Sequence, residues 1–318
     1  MVGSRLSMNS TLHNKPLRAG ALALGSALCF ALSALTFRLS VSSQVATGMP
    51  ALLLAFSAER IMGFVLLLAI WGWPRMALWK GNAVIGGLIS SGSLAYYFAL
   101  STAALGVATT LCDSYNLLAV LLAAVIARRL PSKSKLLALV LAFAGAAICA
   151  RPTPHASSTL GATAAALSAV VFALALLGQR HQASRGARTQ DILGWMYICS
   201  VVPLTGYLIY ARPSMPGWHA VIYSAMTALL TLAANYLSVQ AQRYGSLLQV
   251  GSLVYMTGVF STALAWVLLN ERMDLLTLAG VSCVIAGGVG STVLEQRALR
   301  GARTRTGATR VPSESLAG

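Results

Sequence analysis

Of 318 residues, 57 % are hydrophobic and 9 % charged, with a mean hydropathy of +0.73. Soluble domains carry about 25 % charged residues, so this composition excludes a water-soluble enzyme or binding module. The net charge of +16 would fit nucleic acid, but the cations lie in connections and tails rather than on one groove or helix face, which excludes that partner too.

The chain therefore reads as an all-α integral membrane protein, with apolar runs of about 20 residues as spans. Residues 1–18 form a basic cytoplasmic segment, and the first run covers 19–37. It is longer than the apolar core of about 7–15 residues in a signal peptide, so it is expected to remain as a helix. Ser26, Phe30, Ser33 and Phe37 share one of its faces. The second run, 50–71, holds Glu59 and Arg60 near its middle. Adjacent helical residues project to different faces, so each is expected to find its own partner, with Glu59 a candidate for proton coupling. The third, 82–101, aligns Ser90, Ser93 and Tyr97.

The fourth run, 106–127, carries the residue richest in chemistry. Asp113 lies about seven residues in, roughly 10 Å deep at about 1.5 Å per residue. A lone carboxylate at a helix centre costs at least about 2.5–3.5 kcal/mol. Asp113 shares one helix face with Thr109 and Asn116, at i−4 and i+3. Such a carboxyl either carries a proton, pairs with a substrate ammonium, or is hydrogen-bonded and holds helices together. The fifth run, 135–151, presents Ala138, Ala142, Ala146 and Ala150 on one stripe, the pattern of close helix packing.

The next runs are 159–180, 191–211, 218–239, 246–269 and 274–294. Asn235, Ser238 and Gln242 share a face of the eighth, and Gln249, Ser252 and Tyr255 one of the ninth. Each stripe alone is also what interhelical packing produces; together they predict an amphiphilic, aromatic-rich chamber. The segment 295–318 is rich in Arg, Thr, Ser and Gly and is expected to be disordered, its cations drawn to anionic inner-leaflet lipids.

Orientation follows from the loop cations. Of 23 basic residues, Arg60 lies within a span and Arg38, Arg151, Arg212 and Arg272 fall in one set of alternate loops. All the others fall in the opposite set or the termini. Both termini are thus predicted to be cytoplasmic, in the inner membrane of a bacterium whose arginine preference fits a GC-rich genome.

The chain also repeats itself. A shift of 142 positions carries Ser26, Phe30, Leu35 and Arg38 onto Ser168, Phe172, Leu177 and Arg180, and Pro74 onto Pro216. The same shift carries Ala99 onto Ala241 and Gly145 onto Gly287. Two repeats, 19–151 and 152–294, with five spans each must lie inverted with respect to one another, the arrangement that encloses a midplane site and permits alternating access. Asp113 falls on Tyr255, so the pair is expected to form two walls of one cavity, with Gly251 and Gly258 leaving space opposite. Tyr255 as a packing aromatic is the other reading.

Arg60, the run from Ala99 to Gly145 and its second copy AQRYGSLLQVGSLVYMTGVFSTALAWVLLNER resemble the ten-span EamA-type branch of the drug/metabolite transporter superfamily. Ala241, Tyr255, Glu271, Gly280 and Gly287 fit its spacing across 19–294. Asn116 and Gly258 stand where the family has proline, and Arg129 where it has an acidic residue, so the helix kink is expected to be softened. The resemblance implies a ten-helix bundle with a cavity lined by spans 1, 3, 4, 6, 8 and 9, and export of amino acids or other small metabolites. It also favours Arg60 as a structural bridge.

The expected activity is secondary transport of small amphiphilic metabolites, amino acids or amine-bearing compounds, with Asp113 protonation biasing the cycle. Uncoupled facilitation, a non-transporting scaffold and an intramembrane enzyme are the alternatives. Against an enzyme, His13, His155, His181 and His219 sit in loops or at span ends, and no HExxH, nucleotide-binding GxGxxG or Walker motif appears. The five cysteines lie singly in apolar runs, so no metal or cofactor is expected.

Overall fold

The structure, a computed structural model, describes residues 16–44, 48–103, 105–128, 132–149, 159–213, 216–245, 247–269 and 275–308. Within them every regular element is helical: α1 (Pro16–Ser42), α2 (Met49–Trp71), α3 (Trp79–Thr102), α4 (Leu105–Asp113), α5 (Tyr115–Ala127) and α6 (Lys133–Cys149). There follow α7 (Thr159–Ser184), α8 (Thr189–Ala211), α9 (Trp218–Tyr244), α10 (Leu247–Val254), α11 (Met256–Leu269) and α12 (Leu275–Ala308). Apolar chain that must satisfy its own backbone polar groups has helix as its single-segment solution. Seven stretches among the described residues are long and apolar enough to cross a membrane, from Leu17–Ser42 to Gln249–Leu268. Three shorter apolar helices, Leu111–Ile126, Leu136–Gly145 and Ala279–Gly290, coincide with the fourth, fifth and tenth expected runs.

Three differences from the sequence reading stand out. The fourth run is two helices, α4 and α5, parted at Ser114, and the ninth is α10 and α11, parted at Tyr255. At each break a side chain reaches a main-chain carbonyl. Asn116 Nδ2 donates to the Asp113 carbonyl at 3.1 Å, and Thr257 Oγ1 to that of Val254 at 2.7 Å. Back-bonding of this kind competes with the i→i−4 ladder and bends helices. The third difference is the tail: α12 continues to Ala308, so 295–308 are helical rather than disordered. Residues 309–318, the boundary at 151/152 and Glu271 lie outside the described residues.

The bundle buries polar side chains and exposes apolar ones. Val65, Val84, Ile209 and Trp218 are exposed, whereas Ser26, Ser40, Ser168, Thr227 and Ser252 are buried. In lipid the apolar faces have nothing to gain by meeting each other, so small residues and hydroxyls hold the helices. α1 lies along α9, tied by Ser26 Oγ to the Ala234 carbonyl at 2.9 Å, Ser40 to Ser224 at 2.7 Å and Thr227 to Thr36 at 2.8 Å. α3 lies against α7 and α8, with Ser90 and Ser200 hydroxyls 2.6 Å apart. α6 runs along α12, where Gly287 approaches Ala138 and Ala142. That contact uses the alanine stripe as expected; Ala150 lies outside the described residues and Ala146 is undescribed in its side chain.

One end of the bundle gathers the basic connections. Arg188 holds Asp191 through Nε at 3.0 Å and Nη2 at 2.8 Å. The Arg75 backbone N–H donates to the same carboxylate at 3.0 Å. Arg243 Nη2 reaches the Ala187 carbonyl at 2.6 Å, and Arg18 lies 4.5 Å over the Tyr244 ring. Loops assigned by charge to a common side therefore do meet.

Candidate functional site

The breaks and the hydroxyl-rich seams converge on a cavity of about 100 Å³ bounded by α1, α2, α3, α4, α5, α7, α9 and α11. Its apolar wall is aromatic. Phe30, Tyr96, Tyr97, Tyr115 and Phe172 line it, with Tyr115 edge-on to Phe172 at 5.9 Å and Tyr97 stacked on Phe37 at 3.9 Å. Its polar wall carries Ser33, Ser93, Gln179, Thr231, Asn235 and Ser238. A wider cleft of about 310 Å³ lies at the basic end, between Trp79, Lys80 and Arg185, and contains none of the expected site residues.

Asp113 is the last residue of α4 and lines the cavity. Because the helix breaks immediately after it, its side chain ends the segment rather than lying midway along a continuous face. It is 8 % exposed, and its Oδ2 is buried without a hydrogen-bond partner among the described residues. A buried carboxylate oxygen with no donor is expensive, so the atom is poised for a proton or for a cationic group entering the cavity.

Arg60 also lines the cavity, although the sequence assigned it a structural role. It reaches in from α2, which adds a wall to the six spans implied by the resemblance. Its guanidinium sits 5.0 Å over Phe56, 5.7 Å over Tyr197 and 5.8 Å over Tyr97, within the range of cation–π attraction. Glu59, expected to point elsewhere, touches it: Arg60 Nε lies 2.9 Å from Glu59 Oε2, with both side chains buried. The long arginine stem folds back to close the angle between adjacent residues. The two charges touch without hydrogen-bond alignment, and Arg60 Nη1 is buried with no partner among the described residues.

The remaining expected residues divide. Tyr97 and Asn235 line the cavity; the Tyr97 hydroxyl is 3.4 Å from Thr231 Oγ1, and Asn235 donates to the Thr231 carbonyl at 2.8 Å. Thr109, Asn116 and Tyr255 do not line it. Thr109 Oγ1 donates to the Leu105 carbonyl at 2.9 Å. Asn116 belongs to α5, beyond the break, and fills the space beside Gly251, its Cβ 3.1 Å from where a Cβ there would lie. Tyr255 packs edge-on to Phe143 of α6 at 5.8 Å, among Val120, Leu139 and Val284. Tyr255 thus occupies a packing position, and Asp113 is the member of the pair that lines the cavity.

Tyr96, Tyr115, Gln179 and Thr231 were not singled out from the sequence. Thr231 precedes Asn235 by four and extends its stripe, a signal that could have been read. Gln179 is the one amide in the sixth run. Tyr115 opens α5 directly after the break at Ser114, for which the sequence gives no direct sign.

Residues 159–293 match the EamA-like transporter family, the second of the two regions in which the resemblance was read. No curated protein matches the chain. Among solved structures, a protein crystal structure is similar with a TM-score of 0.65 and 21 % identity, covering 87 % of this chain and 98 % of its own. At that identity the likeness concerns the fold. EamA-like proteins being transporters, the match accords with a membrane transporter rather than an enzyme.

Proposed function

We propose that the chain is a secondary transporter built as ten spans in two inverted five-helix repeats, whose rocking exposes the central cavity to each side in turn. Its cargo is small and amphiphilic, an amino acid or another amine-bearing metabolite, exported across a bacterial inner membrane with both termini cytoplasmic. Asp113 supplies the negative charge that meets the cargo ammonium or carries the coupling proton. The basic tail lies on anionic lipid.

The observation carrying this reading is the Asp113 carboxylate, buried and lacking a donor for Oδ2, on the wall of an aromatic cavity beside a broken helix. Broken spans at the meeting of repeats are where transporters hold their substrates. The helix contacts support the repeat: α1 with α9 exchanges into α7 with α3 when each is moved by 142 positions, α2 with α9 exchanges into α8 with α3, and α6 with α12 exchanges into itself.

The test is flux in proteoliposomes under an imposed pH gradient, with amino acids, amines and sugars as cargo, wild type beside Asp113→Asn. Gradient-driven flux of one class that becomes gradient-independent in the variant is the expected result. Equal flux with and without a gradient in both proteins selects the uncoupled facilitator. No flux of any compound by folded protein removes the transporter reading and leaves the scaffold.

A further inference from the structure

We infer that Arg60 is the anion subsite of the cavity, taking a single carboxylate of the cargo, and that Glu59 is an internal counter-ion holding that place when the cavity is empty. The inference rests on the transport reading above and deepens it, because it makes a carboxylate, and not only an amine, part of what is recognised.

The geometry separates this role from that of a structural bridge. A bridge ties two helices, whereas Glu59 and Arg60 are neighbours on α2, so their contact joins nothing. It is also incomplete. Glu59 meets the guanidinium through Nε at 2.9 Å, while Nη1 is buried and unpaired among the described residues. A guanidinium is a planar fork whose preferred partner is a carboxylate bound in parallel at two nitrogens. Here one corner is occupied by Glu59, and Arg60 lines a cavity.

The aromatic ring around it supports the same reading. The rings of Phe56, Tyr97 and Tyr197 surround the guanidinium at 5.0–5.8 Å, so its neighbours there are aromatic rather than anionic. Tyr97, fixed by its stack on Phe37, also lines the cavity, so the arginine is positioned by a cavity wall rather than by a second helix's carboxylate.

Charge selects the ligand class. The described lining holds one cation, Arg60, and one carboxylate, Asp113. A phosphate would bring about two negative charges against one guanidinium, with Asp113 repelling it. A monoanionic carboxylate matches the single guanidinium charge for charge. On its arrival Arg60 exchanges the poorly aligned Glu59 contact for an aligned one, and the buried arginine is never left without an anion, the condition that makes buried charge tolerable.

The test uses three probes of one shape: leucine, isopentylamine, which lacks the carboxylate, and 4-methylpentanoate, which lacks the amine. KM for each is measured in proteoliposomes for wild type, Glu59→Gln, and the double variant Glu59→Gln/Arg60→Gln, which removes both charges together and leaves none stranded. Wild type should prefer leucine to isopentylamine by roughly tenfold or more, the worth of a charged hydrogen-bonded pair. The double variant should lose that preference. Glu59→Gln removes the competitor and should lower KM for the two carboxylates but not for the amine. Loss of folding in the double variant, seen by size exclusion, leaves the Glu59→Gln comparison to decide. An unchanged leucine-to-amine ratio in the double variant, or a Glu59→Gln effect equal for all three probes, overturns the carboxylate subsite while transport itself stands. Absence of flux for all probes and for the wider panel overturns the transport reading, and this inference with it.

Discussion

Gly145 and its counterpart 142 positions on, Gly287, offer a test of the packing that needs no knowledge of substrate. A Cβ at Gly145 would lie 2.5 Å from the Gly280 carbonyl oxygen and 2.7 Å from the Val284 nitrogen. At Gly287 it would lie 2.6 Å from the Ala138 carbonyl oxygen and 2.7 Å from the Ala142 nitrogen. Carbon-to-oxygen contacts between helices settle at about 3.3 Å or more, so either alanine must push α6 and α12 apart by roughly 0.8 Å. The obstacles include backbone, which cannot rotate aside as a side-chain tip does. Overpacking of this kind costs about 1–3 kcal/mol, offset by about 0.5–1 kcal/mol from replacing a glycine within a helix. Gly145→Ala and Gly287→Ala should therefore each destabilise by about 1–2 kcal/mol. Because the helices separate only once, the double variant should cost less than the sum. Gly87, on α3, has nothing within 4 Å of its Cβ position, so Gly87→Ala should be neutral or stabilising. Unfolding of detergent-solubilised protein, followed by denaturant titration, reads all four. Gly145→Ala or Gly287→Ala behaving like Gly87→Ala would refute the close α6–α12 approach.

Two further perturbations probe the cavity wall and the basic end. Tyr97→Ala removes the stack on Phe37, the edge contact with Phe56 and a face of the Arg60 cage; it should cost about 3–5 kcal/mol, as buried aromatic truncations do. Tyr97→Phe gives up a hydroxyl contact of 3.4 Å and should cost under about 1 kcal/mol, so equal losses for the two would refute the stacking argument. Asp191→Ala frees both the Arg188 fork and the Arg75 backbone N–H. Arg188 is 34 % exposed, which weakens the ion pair, so a loss of about 1–2 kcal/mol in thermal unfolding is expected. No loss would mean that the connections preceding α3 and α8 are not coupled there.

The site was legible where chemistry is rare in its surroundings. Asp113, Glu59 and Arg60 stand out because charge is costly in an apolar run, and Tyr97 and Asn235 because polar residues four apart mark a face. Thr109, Asn116 and Tyr255, aligned with the cavity by sequence spacing, are not among its described lining residues. Asn116 turns its amide back onto the Asp113 carbonyl at the first break, and Tyr255 itself occupies the second. The contact between Glu59 and Arg60 was missed for another reason: helix geometry fixes where Cβ atoms point, not where a long flexible side chain ends.

Composition and apolar run length by themselves determined that the chain is helical and membrane-embedded, since the cost of unpaired backbone in hydrocarbon admits helix as the single-segment solution. The order and approximate limits of the long helices, and the 142-residue echo, were likewise written in the residues. Only the tertiary structure decided where the fourth and ninth runs break, that 295–308 continue the last helix, and which polar faces meet. Those outcomes depend on helices from distant parts of the chain closing around a common space. No local period in the sequence encodes such relations.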